Sequence, residues 1–213
     1  MLALDLLRDK YDREFEIVKK SYNFDTTNKP VAYCCSTNEK DLVFYLEFNV
    51  ADETIISDTY VGRKLGRQAE NIITECLAEQ GIKSAAHGDI DSDFVGEHQE
   101  NEYNPDLLIE DFIDKYHDLR ISASIVITDE VESPRSSPQF ADAMKKVFHL
   151  LGDSRSSMSV YVVNEADFIE YRDHFLSVPW FHSSGMVLKG QPIELLRVTV
   201  RDSEIEISDR VYQ

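Results

Sequence analysis

No run of apolar residues in this sequence reaches the roughly 18–20 that a helix needs to cross a bilayer. The longest candidate, Leu42 to Val50, is interrupted by Glu47 and Asn49. The opening MLALDLLRDK lacks the basic start and unbroken apolar core of a secretory signal, because Asp5 falls inside it. Cysteine is scarce: Cys34 and Cys35 are adjacent and Cys76 stands alone. Three cysteines cannot all pair within one chain, and no zinc spacing is present. Reduced thiols and a cytoplasmic location are the expectation. Bases are scarce as well. Against 40 Asp and Glu there are 22 Lys and Arg, a formal net charge of −18 at pH 7. Phosphates would be repelled, which argues against non-specific nucleic-acid binding and leaves basic proteins as partners. The P-loop, G-x-G-x-x-G, H-E-x-x-H and G-x-S-x-G patterns do not occur. The well-marked enzyme classes therefore fall away, although enzyme status as such stays open.

What is present suits a folded chain. Hydrophobic residues make up 42% of the 213, enough for one large domain or two small ones. The patterning predicts an α+β fold in two lobes. Residues 1–82 read as helix, meander, helix. Leu4, Leu7, Tyr11 and Phe15 form one helical stripe. VAYCC and Leu42 to Val50 read as strands. Ser57 or Asp58 is placed to cap a helix to about Gln80, with Val61, Leu65, Ala69, Ile73 and Leu77 as its stripe. Residues 83–103, rich in acids, read as a linker or an exposed loop. Residues 104–213 read as a mixed sheet with helices: a helix from Asn104-Pro105, a strand over 120–128, a helix over 138–151, a strand over 158–163 and a helix from Asn164 to about Leu176. The strand–helix–strand order over 120–163 suits a parallel crossover. Alternation at Leu196, Val198 and Val200, then at Ile205 and Ile207, predicts a terminal hairpin.

Four groups of residues carry possible chemistry. In HGDIDSDFVGEHQE, Asp89, Asp91, Asp93 and Glu100 sit at positions 1, 3, 5 and 12 of a calcium-type loop, where oxygens can surround a hard cation. Phe94 stands where that loop needs Gly, which favours an acidic solvated loop. His87 and His98 flank the same acids, so a transition metal is the other option there. No cofactor is expected apart from such a divalent metal. Arg63, Lys64 and Arg67 cluster in the first turns of the long helix and could hold an anion. The plainer reading pairs them with neighbouring acids and uses Gly62 and Gly66 for close packing. Trp180 and Phe181, within an aromatic and histidine-rich stretch, suit either a core or an apolar anchor for a partner. Finally, Glu204 and Glu206 alternate with Ile205 and Ile207. On an edge strand the acids either guard against aggregation or accept a basic partner strand.

Other residues, in the first part of the chain, carry a resemblance. Lys10-Tyr11, Phe15, Ser57-Asp58 and Tyr60, in DLLRDKYDREFEIVKKSYNF and ISDTYVGRKLGRQAENIITECLAEQGI, resemble a pattern of small uncharacterised Gram-positive bacterial proteins. The resemblance covers the first 80 residues. It implies a bacterial accessory protein and brings no catalytic residues. Charge and size together point to a non-enzymatic interaction module of the immunity or accessory type. A metal-dependent hydrolase and a small-anion binder are the alternatives.

Overall fold

A computed structural model describes residues 2–21, 24–25, 27–90, 104–116, 121–130, 133–152, 156–177, 192–201 and 204–209, without the side chains of 89, 174–177 and 201. Two sheets and five helices account for most of them, an α+β architecture.

Helix α1 (Leu2–Tyr11) buries Ala3, Leu7 and Tyr11. The helical stripe expected to run on through Phe15 stops short, because Asp12 takes φ 53° and its N–H closes on the Arg8 carbonyl at 2.8 Å. A left-handed residue at this position ends a helix. Phe15 is delivered to the core from strand β1 (Phe15–Lys20) instead. β1, β2 (Val31–Ser36), β3 (Glu39–Asn49) and β4 (Thr54–Asp58) form an antiparallel meander in chain order. Along β3, Leu42, Phe44, Leu46 and Phe48 turn inward and their neighbours outward, the period-2 pattern of a sheet with one buried face.

Helix α2 (Tyr60–Glu79) follows, and Gly81 at φ 73° ends it. The predicted caps are displaced. Thr59 holds the N-cap position, and its hydroxyl accepts from Tyr45 N–H at 3.0 Å. Asp58 accepts from Tyr60 N–H at 3.1 Å.

The second sheet has the order β5-β6-β7-β8-β9: Ser84–Ile90, Ile121–Thr128, Ser157–Val163, Glu194–Arg201 and Glu204–Asp209. Only β6 and β7 are parallel, from Ser122 beside Ser157 to Thr128 beside Val163. Helix α4 (Pro138–Leu150) connects them, capped by Ser137 Oγ accepting from Phe140 N–H at 3.2 Å. β8 and β9 form the expected hairpin, with Val198 opposite Ile207 and Val200 opposite Ile205.

The reading of 83–103 as linker or loop differs at its start. Residues 84–90 pair antiparallel with β6 along their whole length. Of the remainder, 91–103 lies outside the described residues. The helix expected from Asn104 begins later, as α3 (Ile109–Lys115). Asn104-Pro105 instead opens a turn in which Asn104 accepts from Asp106 N–H. Helix α5 (Glu165–Ser177) starts after Asn164, whose side chain accepts from Asp167 N–H at 2.9 Å.

One cluster of buried side chains runs from Ala3 in α1 through α2 to Val198 in β8. A smaller one lies on the other face of the second sheet: Ala85, Val126, Tyr161 and Val163 under Phe168 and Tyr171 of α5. No helix among the described residues is long and apolar enough to cross a membrane.

Candidate functional site

Helical spacing places Arg63, Gly66, Glu70, Ile73 and Leu77 on one stripe of α2, three or four residues apart. The lower part of the stripe is apolar and joins the core. The upper part meets the edge of β5. Arg63 and Glu70 are both buried there, with side chains 3% and 6% exposed. Arg63 Nη1 donates to the Gly88 carbonyl at 2.6 Å and lies 3.2 Å from Glu70 Oε1. Gly88 N–H donates to that same Oε1 at 3.0 Å. One carboxylate and one guanidinium thus occupy both peptide groups of Gly88, as a neighbouring strand would.

This contact needs two glycines. A Cβ on Gly66 would fall 2.4 Å from the Gly88 carbonyl oxygen, and one on Gly88 would fall 2.7 Å from the Gly66 oxygen. Both obstacles are backbone and cannot swing aside.

The network extends outward. Arg67 Nε lies 2.8 Å from Glu70 Oε2 without hydrogen-bond alignment, and its Nη1 donates to Asp41 at 2.8 Å. The guanidinium of Arg67 holds the Asp41 carboxyl below its usual range. His87 Nδ1 stands 3.7 Å from Glu70 Oε1, and the imidazole is 2% exposed. Lys64 Nζ lies 3.3 Å from Glu39 and 3.9 Å from Asp106. Arg13 grips both oxygens of Asp106 at 2.6 Å and donates to the Tyr60 hydroxyl at 3.3 Å. The hydrogen bond to Asp106 raises the Arg13 pKa, and the same bond lowers that of Asp106. Gln68 clamps the start of α3, donating to the Leu107 carbonyl and accepting from Ile109 N–H.

A second buried knot joins α1 to the start of α2. Asp58 accepts from Tyr11 Oη at 2.7 Å and from Lys10 Nζ at 2.6 Å, with its own side chain 1% exposed. The Tyr60 ring packs among Tyr11, Phe15 and Phe44, at 5.0, 5.1 and 4.9 Å between centroids. Lys10, Tyr11, Phe15, Asp58 and Tyr60, five of the six residues that carry the resemblance, therefore meet in space and fix the α1–β4–α2 junction.

Arg63, Lys64 and Arg67 are brought together, each against a carboxylate of this chain. His87 stands at the same seam. Asp89 lies on β5, with its side chain outside the described set. Asp91, Asp93, His98, Glu100, Trp180 and Phe181 lie outside the described residues. Among the described residues no group of three His, Cys, Asp or Glu side chains is placed to hold a metal ion.

The organising residue, Glu70, does not stand out in the sequence. Its signal is present nonetheless: Arg63 and Glu70, seven apart, interrupt the stripe that Ile73 and Leu77 continue. Two opposite charges on a core-facing stripe announce a buried pair.

The thiols are placed unlike nucleophiles. Cys34, Cys35 and Cys76 are all buried and unbridged. Burial pushes Cys34 up to about 12 and Cys35 up to about 11, and Cys76 is raised for the same reason. A thiolate is the reactive form, and these environments disfavour it.

With fold and seam in view, the class is plain: an α+β protein in which a helix flanked by two sheets carries an internal charge network. Comparison with solved structures finds the same fold in a DUF5037 family protein from Ruminococcus gnavus ATCC 29149. The TM-score is 0.69 and the identity 20%, over 96% of this chain and 93% of that one. At that identity the likeness establishes the fold alone. No family model matches the sequence. No curated protein matches it either.

Proposed function

We propose that this chain is a non-enzymatic interaction module of the immunity or accessory type that binds a basic protein. The observation that carries this reading is where the bases go. Most of the described Lys and Arg side chains lie against acids of the same chain: Lys10 on Asp58, Arg13 on Asp106, Arg63 on Glu70, Arg67 on Asp41, Lys83 on Glu165 and Lys146 on Glu79. With 40 acids to 22 bases, acids outnumber the bases available to pair with them, and several described ones face solvent instead. Glu110, Asp111 and Asp114 on α3 are examples, all exposed. Such a field steers a cationic partner and speeds its encounter.

A small anion at Arg63, Lys64 and Arg67 would have to displace Glu70, Glu39 and Asp41, charges already within 3.3 Å. That competition is why the basic-partner reading is preferred. The test is capture by the tagged chain from lysate of its source organism at low and high salt, followed by titration of the purified captured protein. The expected result is a basic protein whose affinity falls as salt rises. Salt-independent binding, or an acidic partner, contradicts the proposal.

A further inference from the structure

The two sheets present four edges, and they are not alike. β5 is covered where Arg63 and Glu70 take the peptide groups of Gly88. β1 displays Lys19 and Lys20, which repel a basic partner. β4 exposes Thr54, Ile56 and Ser57, with no acid among them. β9 differs from all three. It pairs with β8 alone among the described residues. Glu204 and Glu206 are exposed on one of its faces, with no ion-pair partner among the described side chains, a set that leaves out Arg201 opposite Glu204 on β8. Ile205 and Ile207, on the other face, pack against the main core and are only half-buried.

We infer that β9 is a docking edge for an extended segment of a basic partner, which adds as a further strand to the second sheet. The inference rests on the basic-partner reading and names its site. An antiparallel edge strand leaves every second residue's N–H and C=O for a further strand. A segment that alternates apolar and basic residues matches β9 on both faces. Its Lys or Arg side chains lie beside Glu204 and Glu206. Its apolar side chains extend the cover over Ile205 and Ile207. A second copy of this chain does not fit, because antiparallel β9–β9 pairing sets like charges side by side.

The probe is a nine-residue capped peptide of alternating Lys and Val, set against a peptide of equal charge in which Pro replaces Val. Proline cannot donate to the ladder, so the second peptide offers charge without strand addition. Binding is followed by calorimetry, and amide hydrogen exchange is read along β9 in the full chain. The Lys-Val peptide is expected to bind at least ten times more tightly than the Lys-Pro one and to slow exchange at β9. Glu204→Lys combined with Glu206→Lys, two exposed positions, should remove this binding and leave the melting temperature near that of the parent chain. Equal binding of both peptides, or full binding to the double variant, overturns the β9 site and leaves the basic-partner reading standing. Failure of both peptides to bind at low salt counts against the β9 site and the basic-partner reading alike.

Discussion

Glu70 shows what one buried charge does here. It receives Arg63, the Gly88 N–H and the close approach of Arg67 and His87. A buried ion pair need not stabilise a fold over an apolar substitute, but removing one partner strands the other. Glu70→Ala should therefore cost about 3–5 kcal/mol in urea unfolding, since the Arg63 guanidinium is left buried. Glu70→Gln, which can still accept from Gly88, should cost less. A loss for Glu70→Ala no larger than for an exposed position would remove the network from the account.

The thiols make a second prediction at this scale, one about pH. Cys34 and Cys35 are raised to about 12 and about 11 in the folded chain. The unfolded chain releases those protons from about pH 8.5. Between these limits the native state holds more protons than the unfolded one, so stability is complete below about pH 8.5 and falls as pH rises. A urea midpoint that falls steadily above about pH 9, and falls less steeply in Cys34→Ala, is the expected result. Native thiols should also react slowly with a thiol reagent at about pH 8 and all at once on unfolding. Fast labelling of the folded chain would contradict their burial.

At the scale of elements, legibility follows the length and periodicity of each segment. The long stripe of α2, the part of β3 from Leu42 onward and the alternation of β8 and β9 are readable because many residues repeat one period. β1, β4 and β5 are hidden for local reasons. FEIVKK at β1 carries the Phe15 that also completes the α1 stripe, and only the left-handed Asp12 separates the two. β4 ends at Asp58, which reads from sequence as a helix cap. β5, SAAHGDI, has few large apolar residues because α2 lies against it, and Gly88 is required for that contact. The site is legible only in part. Arg63 and Arg67 stand out as a basic cluster, but their partners Glu70 and Asp41 lie on other turns or other elements.

Two glycines separate the physical causes. Gly81 has open space where a methyl would stand, so Gly81→Ala should cost only the left-handed backbone penalty, about 1–2 kcal/mol. Gly88→Ala sets a methyl 2.7 Å from the Gly66 oxygen and must push β5 from α2. It should cost more than Gly81→Ala, and it should speed amide exchange along β5. Equal costs in chemical denaturation would contradict the close helix–strand contact.

For the whole molecule, two facts act together. The net charge is −18, and the described bases lie mostly against acids of the same chain. Internal pairing fixes α2 between the sheets, while described acids such as Glu110, Asp111 and Asp114 stay exposed. The fold shared with the Ruminococcus gnavus protein establishes the frame on which that charge is carried. The most direct measurement is the dissociation constant of the captured basic protein as a function of salt, for the parent chain and for the Glu204→Lys/Glu206→Lys variant. Affinity should fall steeply with salt in the parent chain and be weak already at low salt in the variant. Equal affinity for both chains, unchanged by salt, would rule out steering by exposed acids and docking at β9.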